Sequence, residues 1–595
     1  MEKQEAKKRT KAREMAKEER AQEKRAAKDL ARQERTEQKQ AAKDLARQER
    51  AEQKQAAKKL AKQECSKEKG AAKQLTKQER VKEKLPASKT ARGKRAGKKA
   101  PLSQFQRMTA TLSGSEQSQL REYFRQLDRH ILLPKEWKTP MLHDFEQGIL
   151  YHLQKGRSLT ETLELLDPLN LGGFYSCPAT MWWPLDNAAK VYPISMSHEQ
   201  MEVFRLSVYL KEEVVPEILQ LALTFTIKRF PFFATTIKNG FFWHYIDATK
   251  RRFAVEPESA IPCAPINVSS TGAQSFRIIY YHNRISAEFF HILTDGTGGM
   301  VFLKSLIAEY LRLLGIAIPN THGVLDINER PSPLESADDF AKSAVRGEKG
   351  SGFVGKPALQ MSGYLTKTKP CQVLHFDIDA AALHQLAKAR QASVTAYVLA
   401  LMFVAGKAAT EADSGNIQIQ VPVNMRNFYP SQTIRNFSLY CSIKMPINDI
   451  TTIDEILPEI SRQLQENTSR DAMHEMMNAA VNLVRSLKYV PLFIKTTFGN
   501  FVYGFFSDRI FSNTLSNLGV VDIPEEMQPY VEKMDFLLGM SPTNRAACSM
   551  VTVNNVATFS IAKATIDPSF EEKINALLTE NGLEFTVSGS EIYGD

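Results

Sequence analysis

The stretch Arg284–Leu314, RISAEFFHILTDGTGGMVFLKSLIAEYLRLL, changes its hydrophobic period halfway along. Ile285, Ala287 and Phe289 share one strand face by period-2 alternation, and His291 closes that face. From Thr297 the spacing becomes helical: Phe302, Leu306 and Tyr310 lie beside Leu303, Ile307, Leu311 and Leu314. Between the two periods stand Asp295 and Gly296 in a tight loop, with Thr297 placed to cap the helix. A strand, a glycine-rich turn and a helix put an imidazole at the mouth of a buried strand. There a neutral histidine can act as a general base on a hydroxyl or an amine. Asp295 is too close along the turn to be a triad partner, so it is expected to fix the loop through an arginine. The bland reading of the same residues is a core histidine beside a helix-start aspartate.

Outward from this stretch, strands and helices alternate. Phe204–Leu210 alternates like a strand, and Val215–Lys228 reads as an amphipathic helix closed by Arg229-Phe230-Pro231. A second set follows at 372–378, 379–391, 394–410, 417–423, 439–445 and 453–466, and the chain closes with 550–554, 558–564 and 569–581. The expected fold class is therefore α/β, in two similar halves. Segments are expected as follows: 1–84, a charged helix; 85–103, a basic flexible linker; 104–175, a small helical element; 176–345, a first half; 346–370, a crossing linker; 371–595, a second half.

Charge separates the beginning of the chain from the rest. Over all 595 residues the formal charge is +11, but residues 1–100 carry +18 and the remainder −7. A mildly acidic body excludes a protein that is basic throughout and coats nucleic acid. Residues 1–84 repeat Ala-Ala-Lys at Ala26, Ala41, Ala56 and Ala71, with Leu30, Leu45, Leu60 and Leu75 in step. That period of 15 gives no heptad seam, so the expectation is a long solvated helix, with an anionic membrane or RNA as the partner its charge would suit. Six dispersed cysteines form no CxxC or Cys/His cluster, which leaves no zinc-finger spacing and favours free thiols in a reducing compartment. No secretory leader is expected from the charged first residues, and Val490–Phe506 is interrupted by Lys495, Gly499 and Asn500. The expected location is cytoplasmic, peripheral at a membrane if the basic segment docks there. Asp377, Asp379 and Glu288 match no metal-ligand spacing, and no metal is expected. Trp182, Trp183 and Trp243 with Phe241, Phe242 and Tyr245 form an aromatic cluster, either core packing or the lining of a channel.

Five short elements, in order, resemble the CoA-dependent acyltransferase superfamily of chloramphenicol acetyltransferase, peptide-synthesis condensation domains and alcohol acetyltransferases. They are WPLDN (183–187), LTFTIKRFPFFATTI (223–237), HILTDG (291–296), VPVNMRNFYPSQTIRNF (421–437) and LSNLG (515–519). The resemblance spans about 176–590 and is strongest toward the alcohol acetyltransferase branch. Phe290 precedes His291 where peptide condensation domains double the histidine, and a DFGWG element is missing, so carrier-protein peptide condensation is not expected. The resemblance implies two chloramphenicol-acetyltransferase-like halves in a V, with His291 in a channel as the base. An acyl group, acetyl above all, would pass from acyl-CoA as co-substrate to a small alcohol or amine, with no bound cofactor. It further implies that Asp295 and Gly296 shape the turn, with Arg426 as the aspartate's partner and Arg435 its rival. Asn424, Asn436, Ser516 and Asn517 are the implied channel or oxyanion residues. The alternatives are a non-catalytic ligand-binding scaffold tethered by its basic segment, and an acyltransferase fed by an acyl carrier protein.

Overall fold

The computed structural model describes residues 103–190, 192–195, 201–268, 274–345, 357–496, 508–541 and 543–593. The expected charged helix, the basic linker except Ser103, and residues 346–356 of the crossing linker lie outside these residues, as does the latter part of Val490–Phe506. Within them, residues 101–595 form one compact unit.

Four helices open the described chain: α1 (Gln104–Thr109), α2 (Gly114–His130), α3 (Lys135–Gln154) and α4 (Leu159–Leu165). Ser103, Ser113 and Ser158 each close a capping box with the residue three positions on, which sets three of the four starts. Tyr123 Oη donates to Leu166 O at 2.7 Å within this element, and Phe145 packs on Phe225 of the first half at 5.8 Å. Arg252 holds Asp144 bidentately at 2.6 and 2.9 Å.

The first half comprises β1 (Trp182–Pro184), β2 (Val203–Leu210), α5 (Pro216–Thr226), β3 (Thr235–Asn239), β4 (His244–Ala248), β5 (Val255–Pro257), β6 (Phe276–Tyr281), β7 (Arg284–Phe290) and α6 (Gly296–Leu313). The second comprises β8 (Gln372–Asp379), α7 (Ala380–Ala389), α8 (Val394–Ala408), β9 (Asn416–Asn424), β10 (Ser438–Pro446), α9 (Ile453–Asn467), α10 (Arg470–Ser486), β11 (Asn513–Val520), β12 (Val531–Leu538), β13 (Ala546–Val553), β14 (Val556–Lys563), α11 (Ser569–Glu580) and β15 (Phe585–Gly589). Three sheets result: β1-β4-β3, a five-stranded β12-β2-β7-β6-β5, and a seven-stranded β10-β9-β11-β13-β14-β8-β15. The fold is mixed α/β with two apolar cores. In the first, Phe233, Phe276, Phe289 and Phe302 stack face and edge, which joins β7 to α6 through their side chains.

Two expectations need correction. The second half does not stay to itself, because β12 pairs antiparallel with β2 and completes the first half's sheet. Lys533 and Asp535 share the face turned to β8, where Lys533 ion-pairs with Asp377, while Phe536 on the other face meets Phe204 at 6.2 Å. Thr297 does not cap α6 either. Asp295 is the cap, its Oδ1 accepting from Gly298 N at 3.0 Å, because the helix already begins at Gly296 and Thr297 lies inside its first turn. The acidic trio of the sequence is dispersed as well. Glu288 is buried between Arg205 and Arg277, Asp377 pairs with Lys533, and Asp379 caps α7.

Candidate active site

His291 leaves the end of β7 and is pinned by its backbone, whose N–H donates to Glu202 O at 2.8 Å. Tyr192 stacks on the imidazole (centroids 5.2 Å apart, 17° between planes), and Phe204 covers it at 5.0 Å. The residue keeps a partial exposure. The ring itself is stripped of most of its water, and this pushes its pKa below the ordinary histidine value. The nearby Asp295 charge and a hydrogen bond to its own carbonyl pull the other way without prevailing. A neutral imidazole at physiological pH follows.

Asn436 makes a polar contact with this ring. Its Nδ2 lies 3.0 Å from His291 Nδ1 and donates to His291 O at 3.4 Å, while its Oδ1 accepts from Ser438 N at 3.2 Å and Ser438 Oγ at 2.9 Å. The Tyr192 phenol also hydrogen-bonds the Asn436 side chain, and burial pushes that phenol's pKa well up. Two bonds compete at Nδ1: it either accepts from Asn436 or donates to its own carbonyl. Only the second leaves a lone pair on Nε2.

Asp295 is spent entirely on structure. Besides capping α6, its Oδ2 accepts from Arg426 Nη1 at 2.7 Å and from Phe437 N at 2.8 Å, and the residue is 3% exposed. Arg426 spreads the rest of its guanidinium over Thr433 O (3.0 and 3.1 Å), Arg435 O (2.7 Å) and Asn424 Oδ1 (3.1 Å). One carboxylate thus joins the start of α6 to the connection between β9 and β10. Arg435 meets another acid, Asp186, at 3.4 Å, and donates to Pro184 O at 2.8 Å. Burial holds Asp186 up to about 6 against that pairing.

The remaining expected residues divide. Asn424 donates to Thr297 Oγ1 at 3.1 Å and accepts from Arg426 N at 3.1 Å, so its side chain is committed to the same brace. Asn517 is folded into its own turn, accepting from Gly519 N at 2.8 Å and donating to Thr395 Oγ1 at 3.0 Å. Ser516 is buried on β11 opposite Ser549. Gly296 lies against Leu518 of the same strand, where a Cβ would come within 2.6 Å of Leu518 Cδ2. Sequence reasoning passed over Tyr192 and Phe204, the two rings that flank the imidazole. Tyr192 has no periodic neighbour to announce it, whereas Phe204 lies on β2 opposite Phe289 and was legible only as core.

A second imidazole, His375, has Nδ1 2.9 Å from Ser560 Oγ and Nε2 3.7 Å from Asp535 Oδ2. All three residues are at most 6% exposed, so this serine-histidine-aspartate trio is sealed against substrate. Three buried cysteines among the described residues are held as thiols: burial pushes Cys441 up to about 12, and Cys263 and Cys548 higher still.

No family model matches the chain, and no curated protein does. Solved structures are similar at low identity. The TRI3 trichothecene 15-O-acetyltransferase of Fusarium sporotrichioides has a TM-score of 0.44 at 11% identity, over 67% of this chain and 94% of that one. Polyketide synthase associated protein 5 of Mycobacterium tuberculosis has 0.46 at 14%, over 68% and 99%. F. graminearum TRI101, complexed with coenzyme A and deoxynivalenol, has 0.45 at 11%, over 68% and 100%.

Proposed function

We propose that the chain is an acyltransferase that moves an acyl group, acetyl first among candidates, from a CoA thioester to an alcohol, with His291 as the general base. The observation that carries this reading is the division of labour inside one turn. His291 presents a neutral, ring-stacked imidazole, while Asp295 is fully consumed by a cap, an amide and an arginine. Nε2 takes the proton of the acceptor hydroxyl as its oxygen attacks the thioester carbonyl carbon. The tetrahedral intermediate collapses with cleavage of the carbon–sulfur bond, and the imidazolium returns its proton to the departing thiolate. The products are an ester and free CoA thiol. No acyl-enzyme is needed, and Asp295 transfers no proton.

Thiol release from acetyl-CoA, measured against a panel of alcohols, tests the reading. His291→Ala should abolish release beyond the uncatalysed background while unfolding at nearly the wild-type temperature. Undiminished release by that variant would remove His291 from the reaction.

A further inference from the structure

A cavity of about 620 Å³ lies among β1, β4 and the end of α10. Its lining includes the buried apolar side chains of Leu185 and Val484. The indoles of Trp182 and Trp243 wall it, with Trp182 open to solvent. Such a shape takes a flat or chain-like apolar body.

The charge around it has one sign in excess. Lys190, Arg485 and Lys488 face the cavity, against the single carboxylate of Asp247. Lys190 Nζ donates to Asn187 Oδ1 at 3.2 Å and also feels the charges of Asp338 and Asp186, whereas the two cations of the α10 end meet neutral partners: Arg485 Nη1 donates to Asn482 Oδ1 at 3.5 Å, and the Lys488 ammonium lies 5.3 Å from the Tyr489 ring. Two more cation contacts lie on the indole of Trp243, from Lys190 at 5.9 Å and Lys495 at 3.1 Å. His244 adds a polar point to the lining. It is buried, and its Nδ1 has no hydrogen-bond partner among the described residues. Burial helped by Lys495 holds that ring's pKa at about 4, so it is neutral and free to pair with a hydroxyl. The wall is continuous with the catalytic turn: shortly after Lys190 comes Tyr192, stacked on His291, and Asp186 grips Arg435, the neighbour of Asn436.

We propose that this cavity binds an amphipathic organic acid, an apolar body that carries a carboxylate, and that the hydroxylated form of such a compound is the acyl acceptor. The acceptor clause rests on the acyltransferase reading, whereas the binding clause does not.

Binding is measured first on the full chain without thioester, by titration calorimetry with 2-naphthoate and with the neutral 2-naphthylmethanol. Naphthoate should bind at least tenfold more tightly, and rising salt should erode the difference. The double variant Arg485→Gln/Lys488→Gln should lose the preference while keeping the affinity for the alcohol. Trp243→Ala should weaken both probes, and His291→Ala neither. Equal affinities in the wild type, or a preference that survives the double variant, would overturn the site. Acylation is measured next, with 6-hydroxy-2-naphthoate and 2-naphthol as acceptors. A KM at least tenfold lower for the hydroxy acid, restored to parity by the double variant, supports the acceptor clause. Equal KM values, or displacement of naphthoate by coenzyme A alone, overturn it. Naphthoate binding with no thiol release from any alcohol would leave the site standing and remove the acyltransferase reading instead.

Discussion

In the proposed reaction, His291 must be neutral at rest and must keep its other proton on Nδ1. Burial meets the first demand, so the acid limb of kcat/KM should fall below the ordinary histidine value of about 6.5. The second is governed by the contest at Nδ1 between Asn436 and the ring's own carbonyl. Replacing Asn436 by Asp puts an anion about 3 Å from that nitrogen, which favours both the Nδ1 proton and the imidazolium. Asn436→Asp should therefore move the acid limb upward by about one pH unit or more, because the base is then lost to protonation at higher pH. A limb that stays put in a pH–rate profile would show that Asn436 does not control the ring. Asp295→Ala has another signature. It strands Arg426 under the β9–β10 connection and should cost about 3–5 kcal/mol, read as a fall in Tm. His291→Ala should spare Tm while losing turnover, and equal Tm values for the two variants would refute the brace.

At the scale of elements, the junction of β7 and α6 is tighter than its glycines suggest. A Cβ on Gly298 would lie 2.1 Å from the backbone oxygen of Ile434, which is itself bonded to Thr294 Oγ1 at 2.6 Å and cannot yield. One on Gly296 meets only the end of a leucine side chain. Gly298→Ala should thus destabilise by about 1–3 kcal/mol and Gly296→Ala by clearly less, in chemical denaturation. The β7–turn–α6 unit was legible because both of its hydrophobic periods are local. The ion pair between Asp295 and Arg426 was half legible. Motif order brought two arginines near the aspartate, and the pairing of Asn424 with Ser438 decides which one doubles back to it. What escaped were elements defined by distant partners. VEKMDFLL (531–538) has no clean alternation, since its outward faces are covered by both halves, and nothing local points to β2 as its mate. The small sheet around Trp182 escaped for the same reason, its strand of three residues being too short for a period to register.

For the whole molecule, the charge asymmetry makes a separate expectation. Residues 1–101 hold the positive charge, and the body beyond them forms a compact unit of its own, so their deletion should leave soluble protein with thiol release intact. If they bind anionic vesicles, that binding should appear near 50 mM salt and vanish by about 0.5 M, since one leucine in 15 residues gives little area to insert. Vesicle co-sedimentation across that salt range decides the matter, with RNA as competitor. The strand that crosses between the halves also sets a timetable for synthesis. β5, β6 and β7 are complete once residue 290 is made, yet the edge of β2 waits for residues 531–538. At about 5–20 residues per second, that edge stays bare for roughly 12–50 s while the second half is translated. An unpaired, largely apolar edge is a template for any other strand. Ribosome-bound chains arrested near residue 345 should therefore recruit holdase chaperones, or pair with one another in polysomes, whereas chains arrested past residue 563 should not.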